Sequence, residues 1–382
     1  MIYLDNAATT YPKPARVVEA FRRSAHLYGA NPGRGGYEMS MKTSLKIYSV
    51  RKKLAELFNA DEPEKVIFTS NCTDALNIAI RGFAKDSSHV LTSRLEHNSV
   101  MRPLEHLKKS GRIVYDCASP GENDDETVEN FRALLSKRTS LIVCTYASNV
   151  FGDILPIRRI GLLAKEHSIP FVVDAAQAAG ILNIDMEKDN VSCLCLPGHK
   201  GLYGPMGTGA MILCGDFVPK PLTYGGTGTF SKLLDQPEEP PESFESGTLN
   251  VPGIISLGEG VEFVRSVGIK TMRYRENRLI EYLYSSLREM DQVKLYNEFD
   301  GSRRVPVLSL NIGDLPCEQV SDLLGREKIA VRGGFHCNPS AHKHYGTYDS
   351  GTVRVSVSHF NCKKDIDFLL NSIKKIAKRQ II

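Results

Sequence analysis

No apolar run in this chain approaches the roughly 20 residues that span a bilayer, so no membrane association is expected. The opening MIYLDNAATTYPKP lacks a basic segment followed by an apolar one, and no secretory leader is expected there. Strong charge of either sign is also missing. The 48 Lys and Arg residues against 44 Asp and Glu leave a formal net charge of +4, dispersed along the chain. A nucleic-acid partner is therefore not expected. The basic stretch from Lys374 to Arg379 reads as the solvated face of a last helix. The nine cysteines lack zinc-like spacing: Cys193 and Cys195 are two apart, and no second Cys/His pair follows closely, so no metal is expected. Cys144, Cys193, Cys195 and Cys214 fall in apolar, strand-like segments and are expected as buried reduced thiols. Neither internal repeats nor low-complexity segments occur. These absences point to a globular protein of the cytoplasm.

What is present is enough apolar sequence, 42% of 382 residues, to bury a sizeable core. From about residue 60 to 215, short β-branched apolar runs alternate with helical patterns. Strands are expected at 66–69, 89–92, 112–115, 141–146, 170–174, 192–196 and 210–213, with helices at 73–83, 128–135 and 158–167. This alternation predicts an α/β fold with a mostly parallel seven-stranded sheet flanked by helices. Runs this apolar are buried on both faces. Residues 216–250 are rich in Gly, Pro and acidic side chains and read as a long irregular segment of the kind that often carries function. Helices at 253–267 and 269–290, strands at 305–312, 329–332 and 352–357, a helix near 318–324 and a last helix from Lys363 form a smaller α+β unit. The expected division is a large domain at 15–250 and a small one made of 1–14 and 251–382.

Open α/β sheets bind ligands beyond the carboxyl ends of their strands. After the 66–69 strand comes Ser70-Asn71-Cys72-Thr73, which suits either an ordinary helix cap or a phosphate. The next strands lead to Glu96-His97-Asn98, to Ser148-Asn149, to Asp174 and Gln177, and to Pro197-Gly198-His199-Lys200-Gly201. Each residue alone has a structural explanation. Together they place an anion site, an imidazole, an amide, a carboxylate and a lysine along one sheet edge. Pyridoxal phosphate (PLP) requires that set: a lysine to bond it, a carboxylate for its ring nitrogen and dipoles for its phosphate.

The motifs YLDNAATT, NPGRGGY (31–37), EHNSV (96–100), SNVFG (148–152), VDAAQA (173–178), GHKGLYGPMGTG (198–209), ESGTLN (245–250) and RGGFHCNP (332–339) run through nearly the whole chain. In this order the sequence resembles the class V aminotransferase group of fold-type I PLP enzymes, in its cysteine desulfurase and selenocysteine lyase branch. The resemblance implies that Lys200 is the Schiff-base lysine and a proton shuttle. Asp174 would pair with the ring nitrogen, Gln177 with the phenolic oxygen, and His97 would stack on the ring. Cys72, Thr73 and His199 would be cofactor-binding, the last two at the phosphate. Thr248 would reach the phosphate of a second subunit, implying a homodimer. Asn149, Arg332 and Arg354 would bind the amino-acid substrate, Arg354 as a bidentate carboxylate clamp.

Cys337 discriminates among the chemistries PLP permits. It lies on a Gly- and Pro-flanked loop near Arg332 and His336, surroundings expected to favour a thiolate. The resemblance implies that it attacks the sulfur of L-cysteine, leaving alanine and a Cys337 persulfide that an acceptor protein or small thiol then discharges. The alternatives are a selenocysteine lyase, another class V aminotransferase or lyase, and a PLP-binding sulfur carrier without turnover. Four positions depart from the usual pattern: Pro197 replaces Ser, Asn71 replaces Gly, Gly201 is additional, and Phe335 stands where a second His precedes the cysteine.

Overall fold

The computed structural model describes residues 1–378 apart from 34, 61, 230, 231, 233 and 297. Arg34 of the NPGRGGY motif and Arg379 of the basic stretch therefore lie outside the described residues. The chain runs β1 (Ile2–Tyr3), α1 (Ala15–Leu27), α2 (Glu38–Phe58), β2 (Val66–Thr69), α3 (Cys72–Phe83), β3 (Ser88–Ser93), α4 (Asn98–Lys109) and β4 (Ile113–Ala118). It continues through α5 (Asp124–Leu134), β5 (Thr139–Thr145), α6 (Ile157–Glu166), β6 (Phe171–Asp174), β7 (Cys193–Pro197) and β8 (Gly209–Leu213). Next come α7 (Val251–Val267), α8 (Ile269–Arg288), β9 (Val293–Leu295), β10 (Val307–Ile312), α9 (Cys317–Arg326) and β11 (Ile329–Ala330). The last elements are β12 (Arg332–Gly334), α10 (Pro339–His344), β13 (Thr352–Ser356) and α11 (Lys363–Lys378).

Seven strands form the large sheet in the order β2-β8-β7-β6-β5-β3-β4. The neighbours from β7 through to β4 pair in parallel, and β8 is antiparallel to both β2 and β7. Alternate side chains serve opposite faces, as a pleat requires. Leu141, Val143, Cys193 and Cys195 pack beneath α3 and α4, while Ile142, Cys144, Leu194 and Leu196 join the core under α2, α5, α6 and α7. Cys193 and Cys195 share a face as their spacing demands, with their sulfurs 3.9 Å apart. Each fully buried Leu, Ile or Val contributes about 1.5–3 kcal/mol relative to exposure. A sheet covered on both sides is therefore the favoured arrangement of such runs.

The second unit is built on the antiparallel sheet β12-β13-β10-β9, with β1 pairing in parallel with β11. Leu4 joins its core with Leu283, Leu310, Val355, Leu369 and Ile373, so the N-terminal strand packs with the C-terminal part of the chain. α11 buries Ile373 and Ile376 and leaves Lys374, Lys375 and Lys378 in solvent. The apolar residues Ile254, Leu257 and Val261 of α7 belong to the core of the large sheet, so that core continues past residue 251. α2 has no counterpart among the expected helices. The described residues of 216–250 are irregular, and among the described residues no helix is long and apolar enough to cross a membrane.

Candidate active site

Lys200 follows β7 on a tight turn in which the Tyr203 N–H donates to the Lys200 carbonyl (2.8 Å), with Tyr203 at φ +57°. A Cβ on Gly198 would lie 2.2 Å from Thr208 Oγ1, and one on the additional Gly201 would lie 2.3 Å from the Ala179 carbonyl oxygen. Glycine is thus a steric requirement at both positions flanking His199-Lys200. The N-terminal motif pins the same turn. The His199 carbonyl accepts from Lys13 Nζ (2.7 Å), the Thr9 hydroxyl (3.1 Å) and the Thr10 N–H (3.1 Å). The Lys200 side chain keeps some accessible surface but is ringed by protein atoms. Burial pushes its amine below the usual lysine value; Asp174 and Cys72 oppose that shift, and Arg354 and Arg332 add to it.

Asp174 closes β6 and is buried. Its Oδ1 accepts from the Ala176 N–H (2.9 Å) and the Cys72 thiol (3.6 Å). Desolvation raises its carboxyl above the ordinary value, opposed by Ala176, Lys200 and Cys72. Cys72 opens α3, and burial raises its thiol well above the usual range. Asn71 caps that helix, its side chain accepting from the Asp74 N–H (2.9 Å) at an extended φ of −170°, a conformation that needs no glycine. The glycine that matters here is Gly209 on β8, where a Cβ would meet the Asn71 carbonyl carbon at 2.6 Å. Gln177 Nε2 donates to the Ala7 carbonyl (3.0 Å).

His97 caps α4, with Nδ1 accepting from the Ser99 N–H (3.0 Å). Ser99 Oγ lies 2.9 Å from that nitrogen and 2.8 Å from Thr73 Oγ1. A hydroxyl chain thereby joins the start of α3 to the imidazole. Burial, then Lys200, Arg332, Arg102 and Arg354, lower the His97 ring to about 4, so it is neutral at physiological pH. His199 is likewise lowered to about 4 by burial and by Lys200 and Lys13, and its buried Nδ1 has no partner.

The Cys337 loop closes over this set. The Asn98 N–H donates to the Cys337 carbonyl (2.8 Å), and Asn149 Nδ2 donates to the His336 carbonyl (2.7 Å). Asn338 Nδ2 reaches the Leu95 carbonyl (2.8 Å) and Asn149 Oδ1 (3.0 Å). His336 and Cys337 both adopt positive φ, 50° and 57°, which side chains other than glycine seldom do. The thiol is exposed, with Arg332 Nη2 3.9 Å from its sulfur. His336 does not add a second cation. Its ring is buried, bonded through Nε2 to the Thr352 carbonyl (3.0 Å), and lowered to about 2 by burial and Arg354. The described cation beside the thiol is Arg332, not histidine. Phe335, in place of a histidine, is exposed and edge-on to His342 at 5.3 Å.

Arg354 on β13 is 1% exposed and stands directly across from Arg332 on β12. Its Nη2 is paired with Asp5 Oδ1 (2.7 Å), Nη1 donates to the Asn149 carbonyl (2.9 Å), and Nε is buried without a partner. The expected bidentate clamp is thus already held by an internal carboxylate. Asp5 belongs to the YLDNAATT motif, where its signal is a lone acid in an otherwise neutral stretch. Glu96 and Ser99 belong to the EHNSV motif and Asn338 to RGGFHCNP. Glu96 is fully buried and raised to about 8 by desolvation, accepting from Ser93 and from the Thr145 N–H beside Asp174. Thr248 is exposed, in a groove with Ser70, Asp74 and Thr208, apart from the residues enclosing Lys200.

The sequence pattern of the family described as Aminotransferase class-V matches residues 2–369. This chain belongs to that family. Among the relatives of this chain, a probable cysteine desulfurase of Methanothermobacter thermautotrophicus is 32% identical, with 98% of this chain and 94% of that protein covered. One from Pyrococcus abyssi is 31% identical over 99% of this chain and 94% of its own length. Among solved structures, the apo cysteine desulfurase from Thermococcus onnurineus NA1 superposes with a TM-score of 0.90 at 29% identity, covering 99% of this chain and 94% of that one. The architecture is the fold-type I arrangement expected from the motifs.

Proposed function

We propose that this class V enzyme is a PLP-dependent cysteine desulfurase that works as a homodimer and passes sulfur from Cys337 to an acceptor. The observation that carries the reading is the layering of the site. An exposed thiol on a strained, doubly anchored loop shares a groove with half-buried His97, while Asp174 is buried and Lys200 is ringed by protein atoms. The names of the relatives support the substrate. The residues fit PLP: a buried carboxylate at a strand end, a lysine depressed toward its neutral form, and a partnerless buried His199 nitrogen beside it.

Asp174, Gln177, His97, Thr73 and His199 would hold PLP, with Thr248 of one subunit serving the other. When bound, PLP supplies an electron sink at the substrate α-carbon. The chain supplies the rest. Lys200 Nζ, its amine pushed below the usual lysine value by burial, holds and moves the α-proton. Neutral His97 presents an aromatic face without adding charge beside Lys200. The Arg332–Arg354 pair draws the substrate carboxylate. The Cys337 thiolate attacks the substrate sulfur: a sulfur–sulfur bond forms, the carbon–sulfur bond breaks, and the carbon takes a proton to give alanine.

The test is release of alanine and persulfide from L-cysteine by purified protein and by Cys337→Ala. The variant is expected to keep the visible cofactor absorbance and lose sulfur transfer by at least about a thousandfold, the scale on which a missing nucleophile acts. Full activity in Cys337→Ala would overturn the mechanism. Absence of a cofactor band after adding PLP would overturn the enzyme reading itself.

A further inference from the structure

A groove of about 550 Å³ runs from Cys337 along the outer surface between α3 and α4, a size within the range of small-molecule sites. Beyond Cys337 and His97 its lining includes Asn77, Arg81, Arg102 and His106, and no described lining residue is acidic. Neither Arg81 nor Arg102 pairs with a described carboxylate, and Arg81 Nε is buried without a partner among the described residues. Elsewhere on the surface, arginines are commonly matched by acids, as in Arg16–Glu259, Arg159–Asp125 and Arg265–Glu56. The N-terminus of α4 opens into the same space, with the Asn98 N–H on the Cys337 carbonyl. Arg102 and Arg332 both act on the His97 ring, so their field reaches the reacting end of the groove.

From this we infer that the α3–α4 groove binds the sulfur acceptor, a small thiol carrying two or more carboxylates, and aligns it on Cys337. The inference rests on Cys337 being the sulfur carrier. The acceptor thiolate attacks the outer sulfur of the Cys337 persulfide. A new sulfur–sulfur bond forms on the acceptor, the bond to Cys337 Sγ breaks, and its electron pair returns to Cys337 as thiolate. No outside oxidant or reductant is needed. Arg81 and Arg102 hold the acceptor carboxylates, while Arg332, 3.9 Å from Sγ, stabilises the leaving thiolate.

The field can be read without turnover. In holoenzyme carrying Cys362→Ser, which removes the other exposed cysteine, Cys337 is labelled with dianionic 5,5′-dithiobis(2-nitrobenzoate) and with uncharged 2,2′-dithiodipyridine. Each rate is normalised to a free neutral thiol. The dianion is expected to be favoured on the order of tenfold at low salt. The preference should fall at least about threefold in Arg102→Gln and again in about 0.5 M salt, where screening is short-ranged. A ratio near one overturns the proposal, and so does a preference that survives Arg102→Gln. In a second arm, mercaptosuccinate and 2-mercaptoethanol discharge persulfide-loaded enzyme; equal rates at matched thiolate concentration overturn the acceptor assignment. Loss of the desulfurase reading would appear in the Cys337→Ala assay, whereas the labelling ratio involves neither substrate nor catalysis.

Discussion

Asp5→Asn is the perturbation that most directly probes how the Arg354 end of the site is built. Arg354 is 1% exposed, and the partner that neutralises it is Asp5, with side chains 1% and 19% exposed. Breaking a buried pair by removing one charge costs roughly 3–5 kcal/mol. Asparagine keeps an oxygen where Asp5 Oδ1 accepts from Nη2, so part of the hydrogen bond survives and the cost falls to about 2–3 kcal/mol. Part of that cost comes from Arg332, directly across the strand pair. Two unit charges about 7 Å apart at an effective dielectric of 20 repel by about 2.4 kcal/mol, and the partial exposure of Arg332 reduces that to about 1 kcal/mol. With Asp5 neutralised, this repulsion is no longer offset. Hydrogen exchange of the β13 amides reads the local opening free energy. Exchange through opening should accelerate by about 30- to 150-fold in Asp5→Asn, since 1.4 kcal/mol is about a factor of ten. Adding Arg332→Gln should recover about 1 kcal/mol, visible as coupling in a double-mutant cycle. Acceleration below about threefold, or no recovery on adding Arg332→Gln, would refute the view that Asp5 compensates two facing arginines.

Two further outcomes follow from single residues. Glu276 on α8 is buried beside the Tyr203 hydroxyl (3.5 Å), and desolvation raises it to about 8. The folded state therefore keeps a proton that the unfolded chain releases above its ordinary value of 4.5. This stabilisation is complete below that value and is lost as pH rises toward about 8, at about 1.4 kcal/mol per pH unit. Glu276→Gln should flatten the fall in stability over that window, measured by urea unfolding at several pH values; an unchanged slope would show that Glu276 ionises freely. Gly209→Ala brings a Cβ to 2.6 Å from the Asn71 carbonyl carbon, and backbone displaced there carries Cys72 and Thr73 with it. A loss of about 1–3 kcal/mol is expected, together with weaker PLP binding by titration; wild-type affinity and stability would contradict this role for Gly209.

Much of the fold was legible because it obeys local rules. β5, β6, β7 and β8 are buried on both faces, and sheets of that kind demand the apolar runs seen in the sequence. α2 escaped notice for an equally physical reason. It buries Ile47, Val50, Leu54 and Phe58 but also exposes Met39, Met41, Leu45 and Tyr48, so it lacks a one-sided stripe. Glu276 was illegible because a glutamate on a helix is ordinarily solvated, and only packing against Tyr203 and the His359 backbone encloses it. Around the site, the residue types at the strand ends were readable, but their partners were not. His336 looked like a cation beside Cys337, and burial against Thr352 makes it neutral.

The sequence by itself determined the class of fold and the positions of the large sheet's strands along the chain, and it singled out Lys200, Asp174, His97 and Cys337 as site candidates, since periodicity, turn residues and motif order are local properties of the chain. Tertiary structure alone decided which groups are charged and which are already engaged. Asp5 meets Arg354 across 349 positions of chain, Thr73 reaches His97 through Ser99, and Asn149 ties the Cys337 loop across 187. Protonation depends on desolvation and on neighbours brought together by folding, and no spacing along the chain encodes either.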